Sequence, residues 1–296
     1  MVLFADDAKM FCNLDNSNDI ELFQKDIDKV CDWAVDWSLS FNTKKCKLLQ
    51  IGCNPVEHPF QMRNESGTTD IEYVSTEKDL GVIIDSSLKF KTHIGKVVSK
   101  ANQMLGLSKR AFGNMGKEVF MTLFKSLVRP HLEYGNVVWS PSTVAEIKLI
   151  EGVQRRATAM LKGYDKLTYQ QRLRKLGLPT LEYRRLRADL IQVYRLFSGI
   201  DKVSPEVFFS LFDRSSVDEV QTDDRMVTRG NSRKLKKGRY VRRLGKDSFS
   251  FRVVNPWNSL TDDVVLAPNL NSFKSRLNIL YKNHPLKFEP SFMNRQ

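Results

Sequence analysis

The chain has 296 residues, enough to bury a core and to form one to three domains. Its 47 lysines and arginines against 34 acidic residues leave a formal charge of +13, which favours a polyanionic partner, nucleic acid before membrane surface. Hydrophobic residues make up 41%, so most of the chain should fold; no apolar run approaches the roughly 20 residues of a membrane-spanning helix, and Met1-Val2-Leu3-Phe4 is too short and lacks the basic start of a signal peptide.

Met1 to Phe4 and Ala8 to Cys12 read as two short strands joined by a tight acidic turn. Ile20, Phe23, Ile27, Val30, Cys31, Ala34 and Trp37 then recur at spacings of three and four, which predicts a helix over 19–40 with Asn18 or Asp19 as its cap. Asn42 to Lys45 is a turn and Cys46 to Gly52 a strand. Residues 54–69, with Pro55, Pro59 and Gly67, form a loop with room for one short strand. Ile71 to Val74 and Asp79 to Asp85 follow as a hairpin-like stretch. From Thr92 to Gly163 the period is helical, with breaks expected near Gly113 to Gly116 and at Pro130 and Pro141. Basic amphipathic helix covers 168–198, split around Gly177 and Pro179. Residues 201–248 are polar and charged, and 249–280 hold an apolar patch followed by a short helix.

Cys12, Cys31, Cys46 and Cys53 contain no Cys-x-x-Cys pair, and His58, His93, His131 and His284 are scattered, so the spacing argues against a zinc site and for reduced thiols in an intracellular protein. Adjacent acids at a hairpin tip repel each other, and ordinary tips favour Asn-Gly or Asp-Gly. A divalent cation would relieve the repulsion at Asp6-Asp7. Taken alone, the turn reads equally as a plain solvated acidic turn.

An ordered series of motifs separates these readings. Phe4-Ala5-Asp6-Asp7, the helix after it, Asn42-Thr43-Lys44-Lys45-Cys46-Lys47 and Asp79-Leu80-Gly81-Val82-Ile83-Ile84-Asp85 come first. Ser126 to Gly135 with Trp139, Glu151 to Thr158, Leu176 to Arg185, Val254 to Leu260 and Ser272 to Leu277 follow in turn. The series resembles the C-terminal part of the reverse transcriptases of non-LTR retrotransposons, the jockey- and CR1-like LINE elements, over nearly the whole chain.

The resemblance implies an α+β fold: a truncated polymerase palm of strand hairpins and one helix over 1–90, a helical thumb over 91–163, and a basic helical C-terminal region over 164–296 with a flexible basic segment at 225–246. It implies RNA-directed DNA polymerase chemistry, with Asp6 a ligand of catalytic Mg2+ and Asp7 its supporting neighbour. Lys45 would lie near the incoming nucleotide's phosphates, and Leu80, Gly81 and Val82 would contact the primer. Phe4 stands where many members carry tyrosine, keeping the ring and losing the hydroxyl. The partners implied are an RNA template, a DNA primer or target DNA and deoxynucleoside triphosphates, with no membrane. A further aspartate, from a strand upstream of this chain, completes the two-metal clamp in the family. The expectation is therefore a fragment that cannot polymerise alone; the alternative is a non-catalytic nucleic-acid-binding protein using the thumb and basic tail.

Residues 225–246 hold ten basic residues and no acid. Arg233, Lys234, Lys236, Lys237, Arg239, Arg242 and Arg243 are the candidates for a phosphate-tracking arm, which would double as a nuclear localisation signal. Against this stands a solvated linker that is merely basic. Arg155, Arg156, Arg172, Arg174, Lys175, Arg184, Arg185 and Arg187 form a second basic set, expected mainly as a solvated helix face. Trp139, Trp257, Phe249 and Phe251 are expected in the core rather than stacked on bases.

Overall fold

A computed structural model describes residues 1–52, 58–64, 67–113, 115–212, 231–238, 245 and 247–293. The chain divides into two units, Met1–Leu88 and Lys89–Gln296, so residues 91–163 and 164–296 lie together in the second. No helix among the described residues is long and apolar enough to cross a membrane.

Among its described residues the first unit has one helix, α1 (Ser17–Asp36), and eight short strands paired two by two. Asn16 caps α1 and Asp19 occupies its third position, where the Asp19 carboxylate accepts the Asn16 N–H at 2.8 Å. The helix thus starts earlier than the periodicity predicts, because this reciprocal cap satisfies its free N–H groups. It also ends earlier. Ser38 turns left-handed at φ 54°, and Trp37, expected on the core face, is 67% exposed.

Strands β1 (Val2–Phe4) and β2 (Asp7–Lys9) form an antiparallel hairpin. β3 (Lys47–Leu49) pairs in parallel with β6 (Glu72–Val74), so the Ile71 to Val74 stretch does not form the expected hairpin with its successor. That hairpin is β7 (Thr76–Asp79) with β8 (Val82–Asp85), and its turn lies inside the Asp79 to Asp85 motif. The expected loop at 54–69 contains part of another hairpin, β4 (Gln61–Asn64) with β5 (Gly67–Asp70). Gln24 locks β4 to α1: its side chain gives a hydrogen bond to the Gln61 carbonyl and takes one from the Gln61 N–H, both at 2.9 Å. Around that lock Ile27, Cys31, Phe60 and Met62 form a small core, with Phe23 edge-on to Phe60.

The second unit is helical: α2 (Lys91–Phe112), α3 (Lys117–Leu123), α4 (Arg129–Glu133), α5 (Val144–Ala159), α6 (Tyr169–Leu176), α7 (Leu181–Phe197), α8 (Phe249–Arg252), α9 (Val254–Asn258), α10 (Asp262–Val265) and α11 (Leu270–Leu280). Pro130 does not break the chain as expected. A five-residue π-helical segment, Phe124–Val128, widens the turn ahead of it, and the proline sits in the first turn of α4, where a missing N–H costs least. Gly177 does stop α6, at φ 65°, and the Thr168 and Thr180 hydroxyls cap α6 and α7. Trp139 and Trp257 are fully buried as expected; Trp257 stacks between Phe197 and Phe273 in the core shared by α7, α9 and α11.

Candidate metal turn and nucleic-acid surface

The hairpin register sets the acidic turn. Phe4 pairs with Asp7, so the connection is the two residues Ala5-Asp6, with Ala5 left-handed at φ 52°. Asp6 therefore stands at the tip, whereas Asp7 is the first residue of β2 rather than part of the turn. Both are exposed. Their carboxylate oxygens suit a hard cation, but Mg2+ asks for more ligands than two neighbouring side chains give, and among the described residues no three His, Cys, Asp or Glu gather to hold a metal.

The second implied element closes in the same way. Asp79 pairs with Val82 across Leu80 (φ 44°) and Gly81 (φ 87°), the two left-handed positions of a tight hairpin turn. Leu80 and Gly81 are exposed at the tip, and Val82 is buried. Lys9 at the end of β2 forms an ion pair with Asp79, so the structure ties the acidic hairpin to the β7–β8 tip. Lys45 is exposed in the Asn42 to Cys46 turn, its backbone N–H bonded to the Asn42 carbonyl at 2.9 Å. No described hydrogen bond or ion pair links its side chain to Asp6 or Asp7.

Of the basic arm, Arg239, Arg242 and Arg243 lie outside the described residues. Arg233, Lys234, Lys236 and Lys237 lie within them, and their backbone is fixed rather than loose. Asn231, buried, donates to the carbonyls of Trp257 (2.9 Å) and Leu260 (3.1 Å). The Trp257 indole donates to the Arg233 carbonyl at 2.9 Å. Leu235 is buried, and its N–H and carbonyl are both held by the Asn258 amide. These bonds leave Lys236 and Lys237 exposed on an anchored strip of chain. Within the 225–246 segment read from sequence as flexible, residues 231–235 are held because one apolar residue, Leu235, and one amide, Asn231, reach the core; 225–230, 239–244 and 246 lie outside the described residues.

The second basic set divides. Arg155, Arg156, Arg174 and Lys175 are exposed, whereas Arg172 and Arg185 are buried and Arg184 grips Glu133 with two hydrogen bonds. Arg185 lies among Glu151, Glu182, Glu133 and Asp189, and burial lowers its pKa against their attraction. Glu151 is equally internal. It accepts hydrogen bonds from the Tyr169 hydroxyl and, at 2.9 Å, from the Leu181 N–H, yet burial still raises its carboxyl above the ordinary range. Sequence reasoning missed this polar core. The signal was available in Glu151, Gln154 and Thr158, which share the helix face of Ile150 and Ala157.

It also missed a cleft on α5. Lys148, Glu151, Gly152 and Arg155 fall at i, i+3, i+4 and i+7, one face of the helix. With Tyr169, Phe292 and Met293 they line a cavity of about 380 Å³.

No family model matches the chain, and no solved structure matches it significantly. Two curated proteins do. Over 178 residues, 56% of this chain, it is 22% identical to a probable RNA-directed DNA polymerase from transposon X-element of Drosophila melanogaster. Over 150 residues, 48% of this chain, it is 25% identical to the RNA-directed DNA polymerase from mobile element jockey of Drosophila funebris. The matched parts are 18% and 16% of those two proteins, so the chain spans less than a fifth of the length of the relatives it matches. Over about half of its length the chain is thus similar to the RNA-directed DNA polymerases of two non-LTR transposons, X-element and jockey.

Proposed function

We propose that the chain supplies the end of the palm, the thumb and the basic C-terminal region of an RNA-directed DNA polymerase, and that these 296 residues do not extend a primer by themselves. The observation that carries the reading is the two-residue acidic tip at Ala5-Asp6, tied through Lys9 and Asp79 to a second tight turn that the family resemblance assigns to the primer. Asp6 and Asp7 would hold Mg2+ from one side. When bound, the ion would neutralise charge on the transferring phosphate. The described residues offer no further carboxylate beside them, so positioning and neutralisation would both depend on another strand.

The second unit then serves as a nucleic-acid grip. Lys236 and Lys237 on the anchored strip and Arg155, Arg156, Arg174 and Lys175 on the helices are among its exposed cations. Template RNA and primer or target DNA are the partners this reading requires, and a nuclear location follows from it.

Primer extension on an RNA template with Mg2+ or Mn2+ tests the proposal. The chain alone should give no product. Product that Asp6→Ala abolishes would overturn the claim of inactivity while upholding the metal role of Asp6.

A further inference from the structure

The cavity on α5 has an unusual composition for a surface cleft. Gly152 is part of its lining, with Lys148 four residues before it and Arg155 three after, and a Cβ at 152 would meet the Arg156 guanidinium at 3.4 Å. Both cations are exposed, and among the described residues neither pairs with a carboxylate. Opposite them stand Tyr169, Phe292 and Met293, with the Lys148 ammonium 5.6 Å from the Phe292 ring centre. The remaining lining residue, Glu151, spends its oxygens on donors from the interior, Tyr169 and the Leu181 N–H.

The surroundings are one-sided in charge. Between residues 148 and 175 the exposed ionic side chains are Lys148, Arg155, Arg156, Lys162, Lys166, Arg174 and Lys175, against the single exposed acid Asp165. Exposed cations thus outnumber exposed acids seven to one in this stretch, which favours a polyanion. The cavity itself suits a base better than a phosphate, because Glu151 is among its lining and its cations stand at the edge. Aromatic and thioether walls with a cationic rim suit a group with a flat π face joined to a phosphate. At about 380 Å³ the space is of the size that takes a small ligand.

The geometry points to a binding site for one unstacked base of a single-stranded nucleic acid, with its ring in the cavity over Gly152 and its flanking phosphates on Lys148 and Arg155. The site rests on the nucleic-acid reading of the second unit and deepens it. It gives that unit a means of preferring strands that carry accessible bases over strands that offer phosphates alone.

The test compares two single strands of equal length and charge on the whole 296-residue chain, one bearing bases and one abasic throughout, by fluorescence anisotropy. The base-bearing strand should bind about tenfold tighter, the increment expected of one stacked base. Gly152→Leu adds a side chain to the cavity lining without altering formal charge; its Cβ would meet the flexible end of Arg156 at 3.4 Å, so Arg156→Gln is run beside it to separate any loss through that cation, which would weaken both strands alike. Leucine favours a helix more than glycine does, so the fold should hold, and an unchanged circular-dichroism melt checks it. In that variant the affinity for the base-bearing strand should fall to that for the abasic one. Equal binding of both strands by the wild type, or an increment that survives Gly152→Leu, overturns the site while leaving phosphate binding intact. If neither strand shows salt-dependent binding, the nucleic-acid reading itself fails and the site with it.

Discussion

Asp189 on α7 and Arg252 on α8 meet in a two-pronged ion pair, Nε to Oδ2 and Nη2 to Oδ1, each at 2.9 Å. The same Nη2 donates to the Val137 carbonyl at 2.8 Å, so one guanidinium joins α7, α8 and the segment after α4. Burial raises the Asp189 carboxyl, and the hydrogen bond and charge of Arg252 pull it back.

Arg252→Met should therefore be costly. It strands a buried carboxylate, and the expected loss is about 3–5 kcal/mol by urea denaturation at neutral pH. Adding Asp189→Leu should recover most of that loss, since a buried apolar pair needs no compensating charge. The sign of the pH effect follows from the raised carboxyl: in Arg252→Met the folded state holds its proton more tightly than the unfolded chain, so the penalty shrinks as pH falls into the carboxylate range. A penalty below about 1 kcal/mol, of the size of a surface pair, would mean the bridge does not hold these segments together.

His93 predicts a pH dependence of opposite sign. It is buried with its ring edge-on to Trp139 at 4.8 Å, and burial lowers its pKa below the ordinary 6.5. The folded chain keeps the imidazole neutral while the unfolded chain takes up a proton below about pH 6.5. Stability from this group is thus present above that pH and is lost as pH falls through it. His284, also lowered by burial, adds to the trend, while Glu151 and Asp189 oppose it. The discriminating quantity is a difference: between pH 7.5 and 5.5 His93→Phe should lose less stability than the wild type. Equal losses would remove His93 from the account.

Helices were more legible than pairings. Thr168, Gly177 and Thr180 announce their caps locally, and the split of 168–198 follows from them. The boundary of α1 was missed by two residues because Asn16 and Asp19 cap it reciprocally, ahead of the first apolar position. Pro130 misled because the π segment before it absorbs the strain, and nothing in the residue types signals a π turn. The parallel pairing of β3 with β6 and the Lys9–Asp79 bridge join residues 25 and 70 positions apart, so no local window contains them. The acidic turn was legible as chemistry, while its register, which moves Asp7 onto β2, needed the Phe4–Asp7 pair.

The β7–β8 tip offers a backbone test of that register. Leu80 and Gly81 both hold positive φ, but only glycine does so without cost. Gly81→Ala should lower the stability of the first unit by about 1–2 kcal/mol, and Leu80→Gly should be neutral or stabilising despite losing a side chain. Asp79→Asn, which removes a half-exposed ion pair, should cost about 1 kcal/mol or less. Hydrogen exchange at the Asp79 and Val82 amides would follow each change. Equal destabilisation by Leu80→Gly and Gly81→Ala would contradict a turn with two left-handed residues.

The anchored basic strip can be tested apart from the fold that holds it. The backbone of Arg233 to Leu235 is fixed through Asn231, Trp257 and Asn258, and the Lys236 and Lys237 side chains contribute little to that fixing: Lys237 makes one long contact of 3.4 Å to Asn255 and lies 5.1 Å from the Phe251 ring centre. Replacing both lysines by alanine should leave the melting temperature nearly unchanged. If each side chain meets a phosphate, the slope of log Kd against log salt should fall by about 1.4 on a single strand and about 1.8 on a duplex, with affinity reduced alike for all sequences. Asn258→Ala separates the anchor from the charge. It unfastens Leu235 while keeping every cation, so it should weaken binding with the salt slope preserved. An unchanged slope in the double alanine variant would show that the strip carries charge toward solvent only, and would leave the exposed arginines of α5 and α6 as the phosphate contacts.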